Sequence, residues 1–170
     1  MPCDRCTVVP DSHCFLGLGT NEGITYFYTS PVRGHDYRET KDTLTYYKSH
    51  IDEAKNRKWI WVIDCKEMQT RHYASAEMSK NIVKYLVGEH KGQLQEIWII
   101  NPNTWIRGLI AIIKPFFSKA VTDKLHVLHK SGLELYIDLE SRGLKGYPCR
   151  NLVTIINTPY VPGILPKFNI

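Results

Sequence analysis

Two cysteines three apart, Cys3 and Cys6, precede an adjacent pair, His13 and Cys14. These are the side-chain types that hold zinc. A structural zinc site usually closes with a second pair of ligands spread by a turn, and two adjacent residues chelate poorly. The expectation is therefore a frayed N-terminus with free thiols and no bound metal. Histidines at 13, 35, 50, 72, 90, 126 and 129 offer general bases, and Cys65 or Cys149 could be nucleophiles. No spacing joins any of them into a catalytic signature. Leu16-Gly-Leu-Gly-Thr20 lacks the preceding strand and the spacing of a nucleotide-binding loop. The chain reads as a non-enzyme. Asp64, at the end of an apolar run, reads as a cap on the turn that follows it.

These residues must be positioned by a chain of 170 residues with 22 Lys+Arg and 17 Asp+Glu, a net charge of +5. That length and charge fit one globular domain with a mild attraction to anionic surfaces. Five cysteines, an odd number, and a start without an apolar signal core predict a cytoplasmic protein with no disulfide framework.

Ile24-Thr-Tyr-Phe-Tyr-Thr29 is β-branched and aromatic and predicts a strand. Leu44, Tyr47, Ile51 and Ala54 recur at helical spacing. Trp59-Ile-Trp-Val-Ile-Asp64 and Glu96-Ile-Trp-Ile-Ile-Asn101 are apolar on both faces, as in a parallel sheet covered by helices. The tryptophans at 59, 61 and 98 read as core. Between these two runs, Ser75 could cap a helix lined by Met78, Ile82, Tyr85 and Leu86, with Gly88 ending it. Arg71 and His72 read as solvated.

Trp105 to Phe117 predicts a further helix, and Leu125–His129 a short strand. Ser131-x-x-Glu134 has the form of a capping box before a helix that Gly143 can stop. Leu152-Val-Thr-Ile-Ile156 reads as a last strand. Pro159, Pro162 and Pro166 break the tail into an extended wrap. The expected fold class is α/β: an open, mostly parallel sheet with helices packed against it. Residues 1–23 read as an irregular N-terminal segment, 24–148 as the domain, and 149–170 as a C-terminal strand with a Pro-rich tail.

The segment from Trp105 to Phe117 carries charge only at Arg107 and Lys114. Leu109, Ile110, Ile112, Ile113, Phe116 and Phe117 cannot all face one core. Either this helix is buried on all sides, the commoner case by composition alone, or its second face meets lipid, a membrane or a partner protein.

The order of these pieces resembles the CRAL-TRIO lipid-binding domain, of the phosphatidylinositol/phosphatidylcholine transfer type. The resemblance rests on a strand ending in Asp64, a strand ending in Ile99-Ile-Asn101, a helix running to Lys114-Pro-Phe116, and then Lys124-Leu-His-Val-Leu128. It covers residues 24–142.

The resemblance implies that the sheet floors an apolar pocket holding one phospholipid as ligand, with no other cofactor. It implies that Trp105, Leu109, Ile110, Ile113, Phe116 and Phe117 form a mobile gate helix and pocket wall. Its register puts Lys124 at the headgroup phosphate, with Lys119 and Lys114 nearby, which predicts phosphoinositide binding at an anionic membrane surface. Where the family carries an acidic residue before the third strand, this chain has His90-Lys91-Gly92, and where it has a glycine after the Asp-bearing strand, this chain has Glu67. The family's N-terminal helical bundle has no counterpart in residues 1–23. The expected function is lipid binding or transfer, by a cytoplasmic protein that associates transiently with membranes and does not bind nucleic acid. The other reading is a non-catalytic scaffold of the same fold, for a membrane or a small GTPase.

Overall fold

A computed structural model describes residues 3–36, 42–69, 72 and 76–168. Its five strands are β1 (Leu16–Asn21), β2 (Ile24–Thr29), β3 (Lys58–Asp64), β4 (Leu94–Ile100) and β5 (Leu125–Val127). They lie in the sheet in sequence order. β1 is antiparallel to β2 and the other pairs are parallel. The α-helices are α1 (Asp4–Val8), α2 (Thr43–Ile51), α3 (Ala76–Glu89), α4 (Thr104–Ile113), α5 (Lys119–Thr122), α6 (Gly132–Ser141) and α7 (Gly146–Asn157).

Alternation along each strand sends successive side chains to opposite faces. One face carries Tyr26, Tyr28, Ile60, Val62, Trp98 and Ile100. It is covered by Leu135 and Leu139 of α6 and by Leu152 and Ile155 of α7. The other carries Phe27, Trp59, Trp61 and Ile97 under Ile51 of α2 and Leu86 of α3. Beside it, Ile63, Ile99, Leu125 and Val127 meet Ile106 and Ile110 of α4. Trp59–Ile63 of β3 and Ile97–Ile100 of β4 are therefore apolar because both faces are covered there, as their composition predicts.

Three readings of the sequence are corrected. The stretch 152–156 is helical, not a strand. Pro148, Leu152 and Ile155 are buried at spacings of four and three, so packing on the sheet overrides the β preference of Val153, Thr154 and Ile156. Residues 16–21, read as irregular, form an edge strand. Glu22 and Gly23 turn it into β2 with φ of 49° and 77°, the positive angles that a tight hairpin needs. The N-terminus is also not frayed, since Cys3 is 1% exposed.

Smaller details differ too. Gly88 lies inside α3, which runs on to Glu89. Ser131 is the N-cap of α6 but makes no side-chain cap bond, so the capping box does not form. His72 is buried rather than solvated. Ser75 and Arg71 lie outside the described residues.

Two buried charges close the structure. Asp64, fully buried at the end of β3, accepts hydrogen bonds from the Tyr28 hydroxyl (2.8 Å), the Tyr160 hydroxyl (2.7 Å), Asn101 Nδ2 (2.9 Å) and the Lys66 amide (3.0 Å). Arg33, also fully buried, donates to the Tyr28 hydroxyl (3.3 Å) and to the carbonyls of Ile155 (2.5 Å), Thr158 (2.9 Å) and Pro159 (2.9 Å). Its guanidinium lies 4.0 Å from the centre of the Tyr160 ring. The segment after α7 is thus strapped across the sheet, with Leu165 and Phe168 packed on the core.

Leaving a buried charge without its partners is costly, about 3–5 kcal/mol. Losing one of several hydrogen bonds costs about 1–2 kcal/mol. Asp64→Ala, which takes the shared acceptor from the Tyr28 and Tyr160 hydroxyls, Asn101 Nδ2 and the Lys66 amide, is expected to lower the urea-unfolding free energy by at least twice as much as Tyr160→Phe. Equal losses would show that the network is not the closure. Glu67 holds φ of 60°, an angle that disfavours any side chain. Glu67→Gly is therefore expected to raise stability by about 0.5–1 kcal/mol in the same assay.

Candidate functional site

A cleft of about 1150 Å³, including the space at its mouth, opens between the sheet and helices α2, α3 and α4. Its floor is Trp61, Ile63 and Cys65 of β3 and the residue after it, Ile97 and Ile99 of β4, and Leu125 of β5. One wall is α3, through Met78, Ile82, Val83 and Leu86. The opposite wall is α4, through Ile106, Leu109, Ile110 and Ile113, continued by Phe117 and Val121. Thr43 and Tyr47 of α2, with Met68 and His72, close one end.

The cleft presents few polar atoms, and two of them are already engaged. Thr29 Oγ1 accepts from Trp61 Nε1 at 2.8 Å, and His72 Nδ1 accepts from the Gln69 amide at 2.9 Å. Burial pushes the Tyr47 hydroxyl up to about 12 and the Cys65 thiol further up. Burial also raises Cys149. Both candidate nucleophiles are therefore protonated at neutral pH, and thiols in that form are poor nucleophiles. A cleft with this apolar lining fits an uncharged apolar ligand body, because any buried charge would lie opposite hydrocarbon.

α4 explains its own composition. Asn103 caps it, its side-chain oxygen accepting from the Ile106 amide at 2.9 Å. Ile106 and Ile113 are buried and Leu109 and Ile110 line the cleft, whereas Trp105 is 54% and Ile112 63% exposed. The helix is therefore not buried on all sides: one apolar face looks into the cleft and another looks outward. Of the predicted gate residues, Leu109, Ile110, Ile113 and Phe117 gather on the cleft. Trp105 faces away, and the Phe116 side chain lies outside the described residues.

The three lysines follow on the segment that borders this wall. Lys114 is exposed after α4. Lys119 is exposed and paired with Asp123 at 2.9 Å. Lys124 is half-buried. Its ammonium donates to the carbonyl oxygens of Lys91 (3.1 Å) and Leu94. The stretch Lys91–Leu94 thus meets Lys124 through main-chain oxygen. His90 is buried, with Nε2 3.2 Å from Asp52 Oδ1.

At the C-terminal end of α2, Cys3, Cys6, His13 and His50 converge, each with a ligand atom within 4.8 Å of the others. Cys14 points elsewhere, into the core, where its sulfur accepts from the Ser30 amide. Sequence reasoning found three members of this group and missed His50. No local spacing reveals a residue that arrives from another helix. Arg33 and Tyr160 were missed for the same reason.

Residues 43–142 match the CRAL/TRIO domain, more than half of the chain. Over 153 residues, 83% of this chain, the sequence is 22% identical to Neurofibromin-A of Dictyostelium discoideum, of whose length it spans 16%. The matched segment holds α2, α3, α4 and the strands that floor the cleft. The chain belongs to the CRAL/TRIO domain family.

Proposed function

We propose that this protein binds one phospholipid, with its acyl chains in the cleft and α4 as the wall that moves to admit it. The family's domain binds lipids or other small hydrophobic ligands. The observation that carries the reading here is the two-faced α4. Its inner face lines an apolar cleft, and its outer face displays Trp105 and Ile112 to solvent. Burying each methylene of a chain is worth about 0.8 kcal/mol, so an acyl chain needs only a dry apolar trough. An exposed tryptophan beside isoleucine suits the boundary between headgroups and hydrocarbon. Such a helix lies on a membrane with its outer face while its inner face exchanges lipid.

The headgroup in this reading is anionic and phosphorylated, a phosphoinositide. Its phosphate meets Lys124, with Lys119 and Lys114 adding positive potential. Lys124 leaves its two carbonyl partners when it turns to the phosphate, an exchange of neutral acceptors for a charged one. Charge-assisted bonds are worth about 1.5–3 kcal/mol, roughly ten- to hundredfold in affinity.

Mass spectrometry of an organic extract of the purified protein is the primary test, and a stoichiometric phospholipid is expected. Ile110→Glu, which puts a carboxylate into the cleft wall, is expected to abolish lipid transfer between vesicles while a cooperative melt remains. If it unfolds the protein, α4 is ordinary core. Lys124→Gln keeps a donor for the Leu94 carbonyl and removes the charge. It is expected to weaken phosphoinositide-liposome binding about tenfold or more at moderate salt. Unchanged affinity would remove Lys124 from the headgroup site. The exposed Trp105 and Ile112 also suit a protein interface. If no lipid is extracted and Trp105→Ala leaves liposome binding unchanged, the scaffold reading stands instead.

A further inference from the structure

We propose that Cys3, Cys6, His13 and His50 form a structural zinc site that pins the N-terminal segment to α2. The four come from three places: Cys3 caps α1, Cys6 lies one turn into it, His13 precedes β1, and His50 is on α2. Four of the six ligand-atom separations have the dimensions of a coordination shell, and all six lie within 4.8 Å. His50 Nε2 is 3.3 Å from His13 Nδ1. Cys6 Sγ is 3.4 Å from each of these nitrogens, and Cys3 Sγ is 3.6 Å from His13 Nδ1. A tetrahedral ion with Zn–S of about 2.3 Å and Zn–N of about 2.0 Å spaces two nitrogens by about 3.3 Å, and a sulfur and a nitrogen by about 3.5 Å.

Hydrogen bonding does not account for the cluster. Three groups crowd His13 Nδ1, a nitrogen that can donate or accept only one bond. One ion at the centre satisfies all four groups at once. Two thiols lose their protons on binding, so a divalent ion with two thiolates and two neutral imidazoles carries no net charge. That neutrality suits the burial of Cys3, His13 and His50. Tetrahedral sulfur and nitrogen donors favour zinc among the common divalent metals. Outside this shell, Glu53 Oε1 lies 3.4 Å from His50 Nδ1, on the ring's far side, the usual place for a carboxylate that orients a ligating imidazole.

The site also has something to hold. α1 is five residues long and buries none of them, too short to stand alone. His50 lies one turn beyond Tyr47, which lines the cleft. The metal therefore steadies the end of the cleft, whatever the cleft binds.

The test uses the full chain purified under reducing conditions from zinc-supplemented medium. Elemental analysis is expected to find one zinc per chain. X-ray absorption at the zinc edge is expected to show two sulfur and two nitrogen neighbours. Cobalt added to the metal-free chain is expected to give the visible bands of a tetrahedral site with thiolate charge transfer. Cys6→Ser should lose the zinc and the cobalt bands, and Cys149→Ser should keep both. If Cys6→Ser does not fold, the absorption spectrum of the unaltered chain decides by itself. A reduced chain that retains no zinc and gives no cobalt spectrum would overturn the proposal. So would a zinc shell of oxygen and nitrogen alone, or a Cys3–Cys6 disulfide persisting under reduction.

Discussion

The structure depends on a carboxylate taken out of water. Asp64 is fully buried where β3 ends, and its charge is tolerable only because four donors surround it and Arg33 lies beyond Tyr28. Those donors come from β2, the β3 turn, the residue after β4 and the C-terminal segment. The need to satisfy one group therefore gathers the ends of three adjacent strands and draws the tail over them. Burial and the neighbouring Asp64 push the Tyr28 and Tyr160 hydroxyls upward, so both remain donors across the physiological range. Asp64 is a turn cap, as its place in the sequence suggests, since it accepts from Lys66. It is also the centre of the closure.

With polar closure confined to the strand ends on one side, the other side can be left dry. Trp61, Ile63, Ile97 and Ile99 present an unbroken apolar floor beneath α3 and α4. Such a floor is stable only when covered. Met68 and Met78 at the margins are unbranched and adapt to different occupants without strain. The lysines stay on the outer segment between α4 and β5, where water can solvate them.

Much of this was legible in the residues, for a physical reason. Trp59–Ile63 of β3 and Ile97–Ile100 of β4 are continuous apolar runs because both faces are covered, and a doubly buried strand cannot conceal its pattern, while β-branched and aromatic residues mark β2. α2 and α3 show a helical period because each buries one face, whereas α4 is apolar nearly all round and shows none. What could not be read is what depends on distance along the chain. α7 is rich in β-branched residues and is a helix only because α6 and the sheet offer it a surface. β1 is two-thirds glycine or polar and becomes a strand only by pairing with β2. Arg33 looks like a loop residue until the carbonyls of Ile155, Thr158 and Pro159 arrive. His50 joins Cys6 across 44 residues.

The strap that closes over Asp64 has a kinetic consequence. The strands are added in sequence order, so each finds its partner next to it along the chain. Tyr160 meets Asp64 across 96 residues, and Arg33 meets the Thr158 carbonyl across 125. Closing loops of that length costs entropy that the earlier strand pairings do not incur. The strap therefore belongs to the late, downhill side of the folding barrier. Weakening it should leave the folding rate nearly unchanged and quicken unfolding. It acts as a latch on the native state's lifetime, not as part of its nucleus.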